Sequence, residues 1–189
     1  MQRGYHAATV EAVAAQAGFT TGVIYSRFGS KADLFLALLE ARNEQTVPAY
    51  AALADAATDA EELLGSVGRW WTARLAEGPA WPLALIEFST SAGRDAALLA
   101  RFAESHKRLM TPVGEVVDAA AARLGVELAI SSGDLIRVTT ALGRGLAIER
   151  LLDETAVGAE LIKWAFDAIA SADAKDGAHA TNTLKEQVS

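Results

Sequence analysis

The segment from Thr9 to Leu39 constrains the fold more than any other part of this sequence. Thr9 is a candidate N-cap for a short helix. The apolar residues of that helix follow the i, i+3, i+4, i+7 spacing of a buried stripe, and they are Val10, Val13, Ala14 and Ala17. Gly18 can adopt the positive φ that ends such a helix, and Phe19 is expected to fold back onto the core.

A second and very short helix is predicted directly after this turn. Either Thr20 or Thr21 is expected to cap it. Its inward-facing residues are predicted to be Val23, Ile24 and Phe28. Helices of one or two turns are not stable alone. The pair is typical of a helix-turn-helix, in which the second helix is presented to the major groove of DNA.

Helical periodicity continues along the rest of the chain, and no strand-like alternation persists. Ser30 and Asp33 form an S-x-x-D capping signal for a third helix, which is predicted to end near Gln45, short of Pro48. Further helices are predicted over about 60–76, 81–93, 95–124, 134–152 and 157–170. The expected fold class is therefore all-α.

Composition and charge narrow the function classes. The absence of cysteine excludes disulfides, thiolate zinc sites and a cysteine nucleophile. The net charge of -7 does not exclude nucleic acid, because residues 1–50 hold four basic and four acidic residues and the excess acidity lies beyond them. Arg27 and Lys31 flank the second short helix, where phosphates would be met.

An enzyme is disfavoured by the same sequence. The three histidines, His6, His106 and His179, are dispersed and form no metal-binding pair. No glycine-rich phosphate loop follows a strand. Neither a cofactor nor a metal is predicted. No secretory signal and no apolar stretch of membrane-spanning length is visible, so no membrane association and a cytoplasmic location are expected.

With these residues, the N-terminal segment resembles the TetR family of bacterial transcriptional regulators. A generic helix-turn-helix needs only the turn glycine and the apolar spacing, whereas the Tyr-x-x-Phe-x-Ser-Lys run before an amphipathic helix is specific to this family. The matching residues are Gly4, Thr9, Val13, Ala14, Ala17, Gly18, Phe19, Thr20, Gly22, Ile24, Tyr25, Phe28, Ser30, Lys31 and Leu34. The later helices match the family's regulatory domain in number and order.

The resemblance implies a ligand-responsive regulator, usually a repressor, that binds a palindromic double-stranded operator as a homodimer. Three parts are expected: a helix-turn-helix DNA-binding domain over 1–46, a helical regulatory and dimerisation domain over 47–172, and a disordered tail over 173–189. The residues implied to contact DNA are Thr9, Thr20, Thr21, Gly22, Tyr25, Ser26, Arg27 and Lys31. Helix capping remains the alternative for Thr20, and a structural role remains the alternative for Tyr25.

The sequence departs from the family at its first residues. The family normally begins with a full amphipathic helix, whereas this sequence reaches Gly4 where that helix should end. Val10, Val13 and Ile24 are therefore expected to lack part of their cover. The alternatives are a true start upstream, a fragment, or a loosened DNA-binding unit. The rival function is a dimeric ligand-binding module that no longer binds DNA.

Aromatic and soft apolar residues concentrate in the middle helices, where they could line a chamber for a small apolar or aromatic effector. They are Trp70, Trp71, Trp81, Phe88, Phe102, His106 and Met110, and a core role is the alternative for each. A ligand there would shift the linking helix and change the separation of the two reading helices.

The last two helices are expected to pair with those of a second copy as a four-helix bundle. The interface residues predicted for this bundle are Leu142, Gly143, Leu146, Arg150, Leu161, Ala165 and Phe166. Gly143 and Gly145 lie inside the predicted helix and are expected to allow another helix to approach closely.

Overall fold

The computed structural model describes residues 4–78 and 80–169, and every regular element in that part of the chain is helical. The predicted all-α class is confirmed. The helices are α1 (Gly4–Ala7), α2 (Val10–Ala17), α3 (Thr21–Phe28), α4 (Lys31–Ala56), α5 (Ala60–Ala76), α6 (Ala80–Ala92), α7 (Ala96–Leu124) and α8 (Ser132–Leu152), followed by a C-terminal helix over 159–169. The predicted tail lies outside the described residues.

Side-chain caps begin the short helices where the sequence predicts them. Thr9 Oγ1 accepts a hydrogen bond from the Ala12 amide at 3.1 Å, and Thr20 Oγ1 accepts one from the Val23 amide at 3.4 Å. Thr20, rather than Thr21, is therefore the cap of α3. Gly18 ends α2 with a φ of +74°, the left-handed conformation that glycine adopts without strain.

Helix α4 is longer than predicted. It continues to Ala56 with Pro48 inside it, so the predicted end near Gln45 is wrong. An internal proline costs roughly 3 kcal/mol. The turns beyond it bury Tyr50 and Ala54, and Arg123 Nη2 donates to the carbonyl of Ala54 at 2.6 Å. These contacts offset the cost of the proline.

The chain forms two compact units. The N-terminal unit comprises residues up to Thr46 together with Gly78–Leu109, and the C-terminal unit comprises Val47–Glu77 together with the residues from Met110 onward. The functional domain boundaries predicted from the sequence stay a prediction, since this division groups residues by contact alone.

The N-terminal unit has two apolar clusters. The larger joins α4 and α6 and buries Phe35, Leu36, Leu39, Ala84, Leu85, Phe88 and Ala92. The smaller holds α2 and α3 together through Val10, Ala14 and Ile24, with Phe28 and Leu34 packed against it. Phe28 and Leu34 fill the space beside this smaller cluster. Phe19 and Val23 are instead exposed at 58% and 49%, so their predicted inward orientation is wrong.

The C-terminal unit is closed by α5, α8 and the C-terminal helix. Its buried cluster consists of Leu75, Ala147, Val157, Ile162 and Phe166, with Val67, Trp71, Leu142 and Leu146 packed against it. Gly143 permits this packing, because a Cβ atom there would lie 2.4 Å from Cε3 of the Trp71 ring. The close approach that the sequence suggests at Gly143 is therefore made by α5 of the same chain.

Candidate nucleic-acid interface

Helix α3 is anchored by Ile24 and Phe28 and leaves most of its surface open. Ile24 is 8% exposed and belongs to the small cluster, whereas Tyr25 is 45% exposed. The other predicted contact residues of this region are also accessible. Thr9, Thr20, Gly22, Ser26 and Arg27 are exposed, and Thr21 is half-buried.

The structure adds Val23 to this surface. Residues three and four apart share a helix face, so Val23 lies on the face that carries Ser26 and Arg27. The sequence predicts that Val23 faces inward with Ile24 and Phe28, whereas the structure leaves it exposed. The small size of the α2–α3 cluster, which the sequence does not reveal, is what leaves Val23 outside.

The two cations of this region differ in how firmly they are held. The Arg27 guanidinium carbon lies 5.8 Å from the centroid of the Phe28 ring, and within the described residues Arg27 makes no ion pair. Lys31 Nζ donates to the carbonyl of His6 at 3.2 Å and stands 4.5 Å from the centroid of the Tyr5 ring. Lys31 is half-buried, and contacts with two residues of α1 hold its ammonium group in place.

Helix α7 is tied to the start of α4 within the N-terminal unit. Ser30 Oγ accepts from the Asp33 amide at 3.1 Å and donates to the Asp33 carboxylate, which also accepts from Arg101. The hydrogen bonds from Ser30 and Arg101 lower the pKa of Asp33 below its usual value. Two turns further along, Arg108 Nη2 meets Glu40 Oε1 at 2.6 Å.

A cavity of about 310 Å³ opens beside α2 and α4. It is lined by Gly4, Tyr5, Ala8, Thr9, Val10, Val13, Gln16, Ala17, Lys31, Leu34, Phe35 and Leu38. The expected loss of cover applies to Val13, which is half-buried, but not to Val10 and Ile24, which are buried. Phe28 and Leu34 pack beside these two residues.

The residues predicted to line a ligand chamber fall into both units. Trp81, Phe88, Phe102 and His106 lie in the N-terminal unit, and Trp70, Trp71 and Met110 lie in the C-terminal unit. Phe88 is 0% exposed, with its ring 4.4 Å from that of Phe35 and 5.3 Å from that of Phe102. Phe88 therefore lies in the buried core of the N-terminal unit, and the ligand chamber stays a prediction. Trp81 stacks on Phe35 at 5.6 Å in the same cluster.

In the C-terminal unit, aromatic residues pack near the buried Tyr50. The Tyr50 ring lies 5.1 Å from Trp70, and Trp71 stacks on Phe166 at 6.5 Å. Burial raises the pKa of Tyr50 to about 12, although the Trp71 indole and the charge of Arg74 act in the opposite direction. The indole N–H of Trp71 is buried without a hydrogen bond of standard geometry, so its interaction with Tyr50 is weak.

The predicted dimer residues are only partly available to a second copy. Gly143 and Phe166 are buried, and Leu142 and Leu146 pack in the chain's own cluster. Leu161 is exposed, while Arg150 and Ala165 are half-buried.

A different stripe of α8 is open, and its residues recur at the 3, 4, 3, 4 spacing of a helix-packing seam. It consists of Val138, Ala141, Gly145, Ile148 and Leu152. The C-terminal helix adds Leu161, Trp164 and Ala168, with Trp164 exposed at 68%. The heptad spacing was present in the sequence, but a second apolar stripe on the same helix masked it.

Residues 1–38 match the model of the family described as bacterial regulatory proteins, tetR family. No curated protein matches the sequence. A crystal structure of a Rhodococcus sp. protein assigned to the TetR family of transcriptional regulators has a TM-score of 0.71 and 22% identity, over 92% of this chain and 90% of that one. At this identity the likeness shows a shared fold.

Together, the family match and the shared fold confirm the TetR resemblance predicted from the sequence. In the part of the chain that the structure describes, no helix is both long and apolar enough to cross a bilayer.

Proposed function

We propose that this chain is a cytoplasmic, ligand-responsive transcriptional regulator, acting as a repressor, that binds a palindromic operator as a homodimer. The observation that carries the proposal is the presentation of α3. This helix is held from below by Ile24 and leaves Thr20, Tyr25 and Arg27 at the surface. The match of residues 1–38 to a family of regulatory proteins supports the same conclusion.

The chemistry of this surface suits duplex DNA. The amide groups at the N-terminus of α3 and the hydroxyl of Thr21 can donate to phosphate oxygens. The guanidinium of Arg27 makes no ion pair among the described residues, so it can meet a phosphate or form two hydrogen bonds with guanine. The exposed methyl groups of Val23 could contact a thymine methyl in the major groove.

The open stripe of α8, together with Leu161, Trp164 and Ala168 of the C-terminal helix, supports self-association. A twofold pair buries the same patch on both copies, so a seam rich in apolar and small residues is self-complementary. The pair would have to hold the two α3 helices about 34–36 Å apart to reach successive major grooves.

A small apolar or aromatic effector is proposed to release the operator by moving α4. This helix begins at Lys31, one of the predicted phosphate contacts, so any displacement of its first turn also displaces that ammonium group. Equal operator affinity with and without a bound effector would rule out this coupling.

The experiment begins by enriching duplexes of about 30 base pairs, roughly three helical turns, from a random pool on the full-length chain. We expect a palindromic sequence to emerge and one dimer to bind it in a gel shift. Arg27→Ala should weaken binding and relax the base preference, whereas Gln16→Ala on α2 is the matched control. Failure to enrich any duplex, together with small-molecule hits in a thermal-shift screen, would favour the ligand-binding module without DNA binding.

A further inference from the structure

A carboxylate on α6 reaches the segment that directs Lys31. Glu87 Oε2 accepts a hydrogen bond from the backbone amide of His6 at 2.7 Å. The same carboxylate lies against Gly4, where an added Cβ would be 2.6 Å from Glu87 Oε1. Gly4 has a φ of +72°, so a side chain there would be strained in addition to colliding. Glu87 and Gly4 thus fix the path of residues 4–6 over α6.

The fixed segment in turn determines where the Lys31 ammonium stands. Lys31 Nζ donates a hydrogen bond to the His6 carbonyl at 3.2 Å and lies 4.5 Å from the centroid of the Tyr5 ring. The Tyr5 ring is itself held edge-on by Phe35 and Phe88, each 5.2 Å away. A lysine has four rotatable side-chain bonds and would otherwise sample many positions. Two contacts from one short segment reduce that freedom.

We infer that Glu87 is a positioning residue for DNA binding: it holds residues 4–6 so that Lys31 is presented to a phosphate. The inference rests on the proposed function, and it extends that function to a residue of α6, outside the segment 1–38 that matches the family model. Glu87 carries a negative charge and is expected to touch no DNA. Glu87 is therefore expected to affect DNA binding by positioning Lys31.

The position of α1 depends on the contact that Glu87 makes with it. Helix α1 spans four residues, which is too short to be stable alone, so its position depends on contacts with neighbours. Glu87 is the acidic residue of α6, and its second oxygen faces Gly4. Loss of the carboxylate would leave the His6 amide without this acceptor and would free the carbonyl that orients Lys31.

The test measures the association constant for the enriched duplex over a range of salt concentrations. Lys31→Gln should reduce the magnitude of the slope of log K against log salt by about 1.8. Each phosphate contact contributes about 0.9 to this slope, and each of the two protomers loses one contact. Glu87→Ala should reduce the slope in the wild-type background and add nothing in the Lys31→Gln background. Glu104→Ala, which removes an exposed carboxylate of α7, is the matched control and should leave the slope unchanged.

Two further variants separate positioning from a general loss of structure. Glu87→Gln keeps an oxygen that can accept from the His6 amide, so it should restore the wild-type slope. Equal losses from Glu87→Ala with and without Lys31 would overturn the inference, because a merely structural defect acts in both backgrounds. An unchanged slope in Glu87→Ala would overturn it as well.

A measurement on the free protein keeps the test independent of DNA. The Lys31 ammonium lies above the Tyr5 ring, so the protons of the neighbouring methylene group should show upfield-shifted resonances in the wild-type chain and in Glu87→Gln. Glu87→Ala should move these resonances toward their ordinary positions. If the wild-type chain enriches no duplex, the proposed function is wrong. If the Lys31 resonances stay shifted in Glu87→Ala, the positioning role fails, whatever the outcome with DNA.

Discussion

Three glycines of the C-terminal unit allow its packing to be tested by a graded series of alanine substitutions. The space available to a new Cβ differs at each site. At Gly65 the nearest atom is the flexible end of Arg69 at 3.5 Å, at Gly68 it is Phe166 Cβ at 3.3 Å, and at Gly143 it is Trp71 Cε3 at 2.4 Å. All three glycines lie inside helices, so the gain in helix propensity is the same for each, about 1 kcal/mol at most.

The steric cost decides the order of stability. Gly65→Ala makes only an ordinary contact and should stabilise the chain by about 0.5–1 kcal/mol. Gly68→Ala requires a shift of a few tenths of an ångström, so its net effect should be close to zero. Gly143→Ala overlaps a ring that stacks on Phe166 and meets Trp70 edge-on, so a shift of the ring disturbs both of these contacts. Overpacking costs about 1–3 kcal/mol, and we expect a net loss of about 1–2 kcal/mol.

Urea unfolding at one fixed protein concentration measures the series, since self-association would otherwise change the apparent stability. The double variant Gly143→Ala with Trp71→Leu provides the control. If the ring causes the loss, the penalty of Gly143→Ala should largely disappear once the ring is removed. Equal free energies of unfolding for Gly65→Ala and Gly143→Ala would refute the assigned packing of α5 on α8.

Three further predictions concern single residues. Asp33→Asn should destabilise the chain at neutral pH. The difference from wild type should begin to shrink below about pH 4, where the unfolded carboxylate becomes protonated, and should be lost once the pH falls through the lowered pKa of the folded Asp33; unfolding at several pH values measures this. Ile148→Glu should convert a dimer to a monomer in light scattering, whereas Leu99→Glu, at a similarly exposed apolar residue of α7, should not. Tyr50 should ionise only near pH 12, so Tyr50→Phe should remove the step of the phenolate absorbance titration found there.

Local chemistry was predictable from the sequence where one side chain serves its own backbone. Thr9, Thr20 and Ser30 cap the helices that follow them, and Gly18 ends α2 with a positive φ. Each of these outcomes depends on a few neighbouring residues. The start of the reading helix, and with it the exposed side of α3, follows from these signals.

Features that depend on distant contacts were not predictable in the same way. Pro48 would end an isolated helix, but the burial of Tyr50 and the capping of α4 by Arg123 extend it. Val23 has the spacing of a buried residue, yet the cluster beneath α3 is too small to take it. For Pro48, local propensity is overridden by Arg123, which is distant along the chain, and for Val23 it is overridden by the way α2 and α3 pack against each other.

Helix α8 shows why periodicity alone could not locate the dimer surface. Successive residues turn by about 100°, so Gly143 and Gly145 lie on nearly opposite sides of the helix. Gly143 receives the Trp71 ring from within the chain, whereas nothing lies within 4 Å of a Cβ at Gly145. The sequence offers both glycines as places of close approach, and only the packing assigns one of them to the core. A second copy is therefore expected to approach at Gly145, where Ala141 and Ile148 leave the same face open.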